Sequence, residues 1–160
     1  MRVGFIDKLF DPDFGLNHFR KADVYGYIHA KGRIIYKNGI KIGPWFTIYL
    51  NDGSQFDLKD ITQISKADVV VEGVIAFIRE YKGTASILLR TDSWKAVDHL
   101  ATPMPSLKKW NLKVDQSCRE VFEKHRHVVG IVYERRSVVS GGVRDFRALG
   151  KAKKNNPKEE

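Results

Sequence analysis

The sequence has 160 residues, of which 42% are hydrophobic, a formal net charge of +9 at pH 7 and a single cysteine, Cys118. This length supports one hydrophobic core, so we expect one globular domain. A lone cysteine excludes an internal disulfide and a cysteine-based zinc site, which favours a reducing compartment. No apolar segment approaches the ~20 residues of a membrane span, and the first residues predict a strand instead of a signal sequence. We therefore expect an intracellular, cytoplasmic protein with no membrane partner.

The positive charge favours a polyanionic partner. The sequence pI is about 9.7, and clustered lysine and arginine side chains gain affinity for phosphates by releasing bound counterions. The same excess is also typical of a solvated surface, so its meaning depends on where the cations lie.

Strands and hairpins are predicted in the first half of the chain. An apolar run over residues 2–6 ends at Asp7 and predicts a first strand. Turn sequences, including Lys31-Gly32 and Asn38-Gly39, separate further strand-like runs. These runs are 24–29, 33–36, 44–50 and 55–58. We expect the segment 44–58 to be a hairpin inserted before the first helix.

Helices and strands alternate in the second half. The hydrophobic spacing predicts three helices, over 65–81, 94–100 and 114–126, and a last helix that starts around Val143 after a Gly141-Gly142 turn. Buried strands are predicted at 87–89 and 128–133. The sequence after residue 150 has few apolar residues, so we expect a domain over 1–150 and a basic flexible tail over 151–160.

Four carboxylates follow predicted strands or lie in predicted helices: Asp7, Asp68, Asp92 and Asp145. The most specific is the central one of Thr91-Asp92-Ser93, because it directly follows a buried strand, where ligands of α/β proteins bind. Glu72 lies one helical turn after Asp68 and could replace it. Aspartate is also common as a helix cap or turn former, which is the alternative interpretation of all four.

The order of these elements and acids resembles the ribonuclease H family. The resemblance covers nearly the whole chain and depends on five motifs: Phe5-Ile6-Asp7, Val24-Tyr25-Gly26-Tyr27-Ile28, Ser65-Lys66-Ala67-Asp68, Thr91-Asp92-Ser93 and Asp145. It implies an α/β (α+β) fold with a central mixed five-stranded sheet, helices on both faces and an extra hairpin before the first helix.

The resemblance also implies two Mg²⁺ ions, with Mn²⁺ as a substitute. Two such ions activate a water molecule and stabilise the charge on the attacking and leaving oxygens, and carboxylates are the ligands that Mg²⁺ prefers. Asp7 and Asp92, at the ends of adjacent central strands, would bridge the metals. Asp68 or Glu72 would hold the second ion, and Asp145 would complete the first.

The activity implied is hydrolysis of the RNA strand of RNA·DNA hybrids by a monomer. Five residues are candidate nucleic-acid contacts: Lys108, Lys109, Trp110, Arg135 and Arg136. Trp110 could equally pack as a lid on the core.

The sequence departs from the family pattern at three places. The family has Glu where this chain has Asp68, a small-residue loop where it has Lys8-Leu9-Phe10, and a mobile His where it has Arg135-Arg136-Ser137. Two alternatives therefore stay open: a nucleic-acid-binding module that has lost its metal site, and a nuclease of the same fold that acts on structured or duplex DNA.

Overall fold

The structure is a computed structural model that describes residues 2–3, 24–35, 39, 41–81, 86–101 and 129–155. Eight strands lie in these ranges: β1 Arg2–Val3, β2 Val24–Lys31, β3 Ile34–Ile35, β4 Lys41–Ile42, β5 Trp45–Leu50, β6 Gln55–Asp57, β7 Ile87–Thr91 and β8 Val129–Tyr133. The same ranges contain three helices: α1 Lys66–Glu80, α2 Trp94–Ala101 and α3 Arg136–Asn155. None of these helices is both long enough and apolar enough to span a membrane.

A mixed sheet forms the centre of the fold. Its strand order is β1-β8-β7-β2-β5-β6. β2 runs parallel to β7 and antiparallel to β5, and β7 runs parallel to β8. The predicted α/β fold with a mixed five-stranded sheet is therefore confirmed, with the two-residue β1 added as a sixth strand at one edge.

The hairpin outside this sheet is formed by β3 and β4, which pair only with each other in the described part of the chain. β5 and β6 form the hairpin predicted over 44–58, and it is part of the main sheet because β5 also pairs along most of β2. Two hairpins therefore precede the first helix in the described part of the chain: β3–β4, which follows β2 directly, and β5–β6.

The central strand is β2, not the first strand of the chain. β1 pairs with β8 at the sheet edge, through Arg2 with Tyr133 and Val3 with Val132. The prediction that the strand before Asp7 lies next to the strand before Asp92 was therefore wrong. The eight-residue β2 is long enough to pair on both sides, whereas β1 has only two residues. Asp7 itself lies outside the described residues.

Helices cover both faces of the sheet, as predicted. α1 and α2 pack on the face that carries Ile28, Phe46 and Ile48. α3 packs on the opposite face, against Tyr27 and Tyr49. These two residue sets alternate along β2 and β5 because successive side chains of a strand point to opposite faces.

α3 differs from the sequence prediction at both ends. It begins at Arg136, seven residues before the predicted start, and continues to Asn155, so residues 151–155 are helical instead of a flexible tail. Lys153 donates a hydrogen bond to the carbonyl of Asp52 in the β5–β6 turn, which attaches this end of the helix to the sheet.

The Gly141-Gly142 pair, predicted as a turn, lies inside α3, and the packing of the helix on the sheet explains the glycine at 142. A methyl group built on Gly142 would overlap the ring of Tyr27. Gly142 therefore allows α3 to approach the sheet more closely than a larger residue would. Its neighbour Gly141 is different, since the nearest atom to a methyl group there is Arg144 Nη2, at 3.9 Å.

This contrast makes a prediction about stability. Gly142→Ala should lower the free energy of unfolding relative to Gly141→Ala by about 1–3 kcal/mol, because only the first substitution overpacks the core. Gly141→Ala should be neutral or stabilising by up to about 1 kcal/mol, since alanine favours the helix more than glycine does. Urea denaturation measures both values. Equal effects would contradict the packing of α3 on Tyr27.

Candidate functional site

In the turn after β7, the residue that caps the next helix is not the residue that carries the carboxylate. Ser93 caps α2, because its hydroxyl accepts a hydrogen bond from the Ala96 N–H at 3.3 Å. The Ser93 N–H in turn donates to the Thr91 hydroxyl at 3.1 Å. Asp92 is therefore not needed as the cap, and its side chain is available for another partner.

That partner is Lys66, the first residue of α1. Lys66 Nζ lies 2.8 Å from Oδ1 and 2.9 Å from Oδ2 of Asp92. The Asp92 side chain is 13% exposed and that of Lys66 is 38% exposed. Both carboxylate oxygens thus face one ammonium group in a partly covered site, where water screens the pair less than it would at the surface.

The strand next to Asp92 offers a histidine, not an acid. β2 and β7 are in parallel register, with Tyr27 opposite Arg90. Continuing that register by two residues places His29 at the level of Asp92. The ring of His29 lies 5.8 Å from the ring of Trp45, and Lys31 Nζ lies 5.3 Å from the centre of the same tryptophan ring.

The surroundings of His29 are cationic. Burial lowers the pKa of His29 below its ordinary value, and the positive charge of Arg147 lowers it further. The negative charge of Asp92 raises this pKa, but Lys66 and Lys31 act against it. Among the described residues, three cations and one carboxylate therefore act on the charge of this histidine.

The other predicted acids that the structure describes lie elsewhere in the fold. Asp68 is in the first turn of α1, where its N–H donates to the Ser65 hydroxyl at 3.2 Å. Glu72 accepts a hydrogen bond from the Thr62 N–H at 2.9 Å and another from the Thr62 hydroxyl. Asp145 is exposed on α3. Among the described residues, no group of three or more His, Cys, Asp or Glu side chains could hold a metal ion.

The described residues at this edge do not fit two Mg²⁺ ions. Lys66 engages both oxygens of Asp92, and the nearby cations would repel a divalent metal. The two-ion site therefore stays a prediction that depends on the resemblance and on Asp7, which is not among the described residues.

Basic side chains follow one side of α3. Five of them are separated by eight, three, four and three residues, spacings that keep them on one helix face, and all five are exposed: Arg136, Arg144, Arg147, Lys151 and Lys154. We call this set the basic stripe. Arg135, just before the helix, is also exposed. The other predicted contacts, Lys108, Lys109 and Trp110, lie outside the described residues.

Three residues of this site were not predicted from the sequence: Lys66, Lys31 and His29. Lys66 follows the helix-capping Ser65 and Lys31 precedes a glycine, so both had a plain local interpretation. The position of His29 and Lys31 at this edge depends on β2 being the strand beside β7, and the contact of Lys66 with Asp92 depends on the docking of α1. The local pattern reveals neither.

A comparison with solved structures finds an RNase H domain. The chain is similar to the N-terminal RNase H domain of Rv2228c from Mycobacterium tuberculosis, solved as a fusion with maltose-binding protein, with a TM-score of 0.52 and 12% identity. The match covers 86% of this chain and 99% of that one. No protein-family model matches the sequence, and no curated protein matches it significantly. The fold is therefore RNase H-like, and at this identity the likeness shows the fold alone.

The cationic surroundings of His29 predict a pH effect on stability. Because the pKa of His29 in the folded state lies below 6.5, the unfolded chain binds more protons between these two values. The free energy of unfolding should therefore be highest above pH 6.5 and fall as the pH decreases through the folded-state pKa.

Thermal or urea unfolding of wild type and His29→Gln, measured at several pH values, tests this effect. The stability of wild type relative to His29→Gln should decrease on acidification, and the comparison cancels the other histidines. A difference that does not change with pH would show that His29 lacks these surroundings.

Proposed function

We propose that this chain is a nucleic-acid-binding protein with an RNase H-like fold, and that the basic stripe of α3 binds the phosphate backbone. One observation carries the proposal: α3 has six basic residues in twenty, and Asp145 is its only acidic residue. Aligned cations of this kind gain affinity by releasing counterions from phosphates. The net charge of the whole chain supports the same partner.

Firm attachment of α3 to the sheet supports a binding role. The ring of Phe146 lies 5.1 Å from that of Tyr27, and the guanidinium of Arg147 lies 5.0 Å from the ring centre of Tyr49. Val139 and Val143 are buried on the same side. The cations are thus presented from a packed helix, so less conformational freedom is lost on binding than from a flexible segment.

The first ligand to test is an RNA·DNA hybrid, because the resemblance to the ribonuclease H family implies it. Duplex and branched DNA are the comparison ligands, since fold analogy alone cannot choose among them. Binding to each should decrease strongly with salt concentration, as expected for contacts to phosphates.

The first experiment removes two cations of the basic stripe. Arg144→Gln with Lys151→Gln should weaken binding and reduce the slope of log K against log salt by about 2, because each phosphate contact contributes about 0.9. The matched control is Arg79→Gln with Lys95→Gln, which removes the same charge from α1 and α2 on the opposite face. Fluorescence anisotropy with a labelled hybrid measures both. Equal weakening by the two variants would contradict binding through α3.

The second experiment tests for cleavage. The cationic neighbourhood of Asp92 leads us to expect binding without hydrolysis of the hybrid in Mg²⁺ or Mn²⁺. A cleavage assay on labelled hybrid, with wild type and Asp92→Asn, measures this. Cleavage by wild type that is lost in Asp92→Asn would contradict our proposal and favour the two-metal endonuclease, with Asp7, Asp68, Asp92 and Asp145 as its ligands.

A further inference from the structure

We propose that the carboxyl edge of β2 and β7 is a phosphate site that works without a metal ion, in which Lys66 and Lys31 contact a backbone phosphate directly. The proposal depends on the nucleic-acid-binding function above and names a second contact for it, separate from the basic stripe. The juxtaposition that carries it is the ion pair of Lys66 with Asp92 at the start of α1, packed against the end of β2 that carries Lys31.

Lys66 retains capacity for a second anionic partner. Its ammonium group has three N–H donors, and the two oxygens of Asp92 lie at 2.8 and 2.9 Å. Lys66 is also the more exposed member of the pair, at 38% against 13% for Asp92. An incoming phosphate oxygen can therefore reach the Lys66 ammonium group while Asp92 holds that group in place.

Gly32 brings the end of β2 against the start of α1. A methyl group built on Gly32 would lie 2.5 Å from the Ile64 carbonyl oxygen and 2.8 Å from the Lys66 nitrogen. The next residue, Arg33, donates its N–H to the same Ile64 carbonyl at 2.9 Å. This backbone contact fixes the end of β2 against the start of α1, so Lys31 and Lys66 lie on neighbouring elements.

The local charge favours an anion over a metal ion. In the part of the chain that the structure describes, Lys31, Lys66 and Arg147 act on His29 and Asp92 is the one carboxylate that opposes them. Lys31 is placed by its contact with the ring of Trp45, and such a contact favours an ordered ammonium group. A phosphate at this edge would reduce the repulsion among the cations, whereas a divalent metal would increase it.

A direct contact between Lys66 and the phosphate and a metal site at Asp92 predict opposite effects of Asp92→Asn on binding. If Lys66 binds the phosphate, Asp92 is a negative charge close to it, so Asp92→Asn should strengthen binding. If Asp92 held a metal that bridges to the phosphate, Asp92→Asn should weaken binding in Mg²⁺ and leave binding in EDTA unchanged.

The experiment measures the affinity for a labelled RNA·DNA hybrid at low salt, in EDTA and in Mg²⁺. Lys66→Gln should weaken binding by about threefold or more, and Asp92→Asn should strengthen it by about threefold, as expected for one charge ~6 Å from a phosphate in water. Both changes should be the same in EDTA and in Mg²⁺. Lys66→Arg should retain binding, which separates the loss of charge from a folding defect.

Controls come from the other end of the same helix. Arg79 and Glu80 are exposed and lie about 20 Å along α1 from Lys66. Arg79→Gln and Glu80→Gln make the same charge changes there and should leave the affinity within about twofold of wild type. Thermal melting of every variant checks that it is folded.

Four results would overturn the proposal. Unchanged binding in both Lys66→Gln and Asp92→Asn, while the α3 double variant binds weakly, would reject this site and keep the proposed function. Weaker binding of Asp92→Asn only in Mg²⁺ would assign the edge to a metal instead. No binding by wild type would reject both proposals. A preference for hybrids with a 5′-terminal phosphate would show that the site binds the phosphate at a strand end and not a backbone phosphate.

Discussion

The close approach of two helices to the central sheet is the constraint on which the rest of the structure depends. On one face, a methyl group at Gly73 of α1 would overlap the ring of Phe46, and on the other, a methyl group at Gly142 of α3 would overlap the ring of Tyr27. Each helix therefore lies directly on an aromatic ring of β2 or β5. These two contacts determine where the first residue of α1 and the middle of α3 meet the sheet, and so where their cations lie.

The pair formed by Lys66 and Asp92 follows from this packing. Asp92 is mostly covered, and a covered carboxylate without a partner is costly. α1 supplies the partner at its first residue, where the helix meets the end of β7. The pair neutralises the one carboxylate that acts on His29 among the described residues, so the remaining described charges at this edge, Lys31 and Arg147, are positive. Displacing α1 would therefore also remove the cation that compensates the charge of Asp92, so the fold and the electrostatics of this edge depend on the same contact.

Local patterns predicted much of the fold and part of the site. The strands around 45–50, 87–91 and 129–133 and the helix after Ser65 follow from hydrophobic periodicity and turn sequences. The position of β2 at the centre did not, because strand order depends on pairing between distant segments. Gly141-Gly142 indicates a turn locally, and only the Tyr27 ring explains a helix there. Asp92 was identifiable from the residues beside it, whereas Lys66 as its partner required the docking of α1.

The position of α3 at the end of the described chain has a consequence for how the protein forms on the ribosome. Tyr27 and Tyr49 belong to strands that are synthesised before α3, whose Val139 and Val143 pack against them. Tyr27 and Tyr49 therefore lack the cover that α3 provides until Val139 and Val143 have been synthesised. During that interval the nascent chain carries an uncovered apolar surface of the kind that chaperones bind and that promotes association between chains.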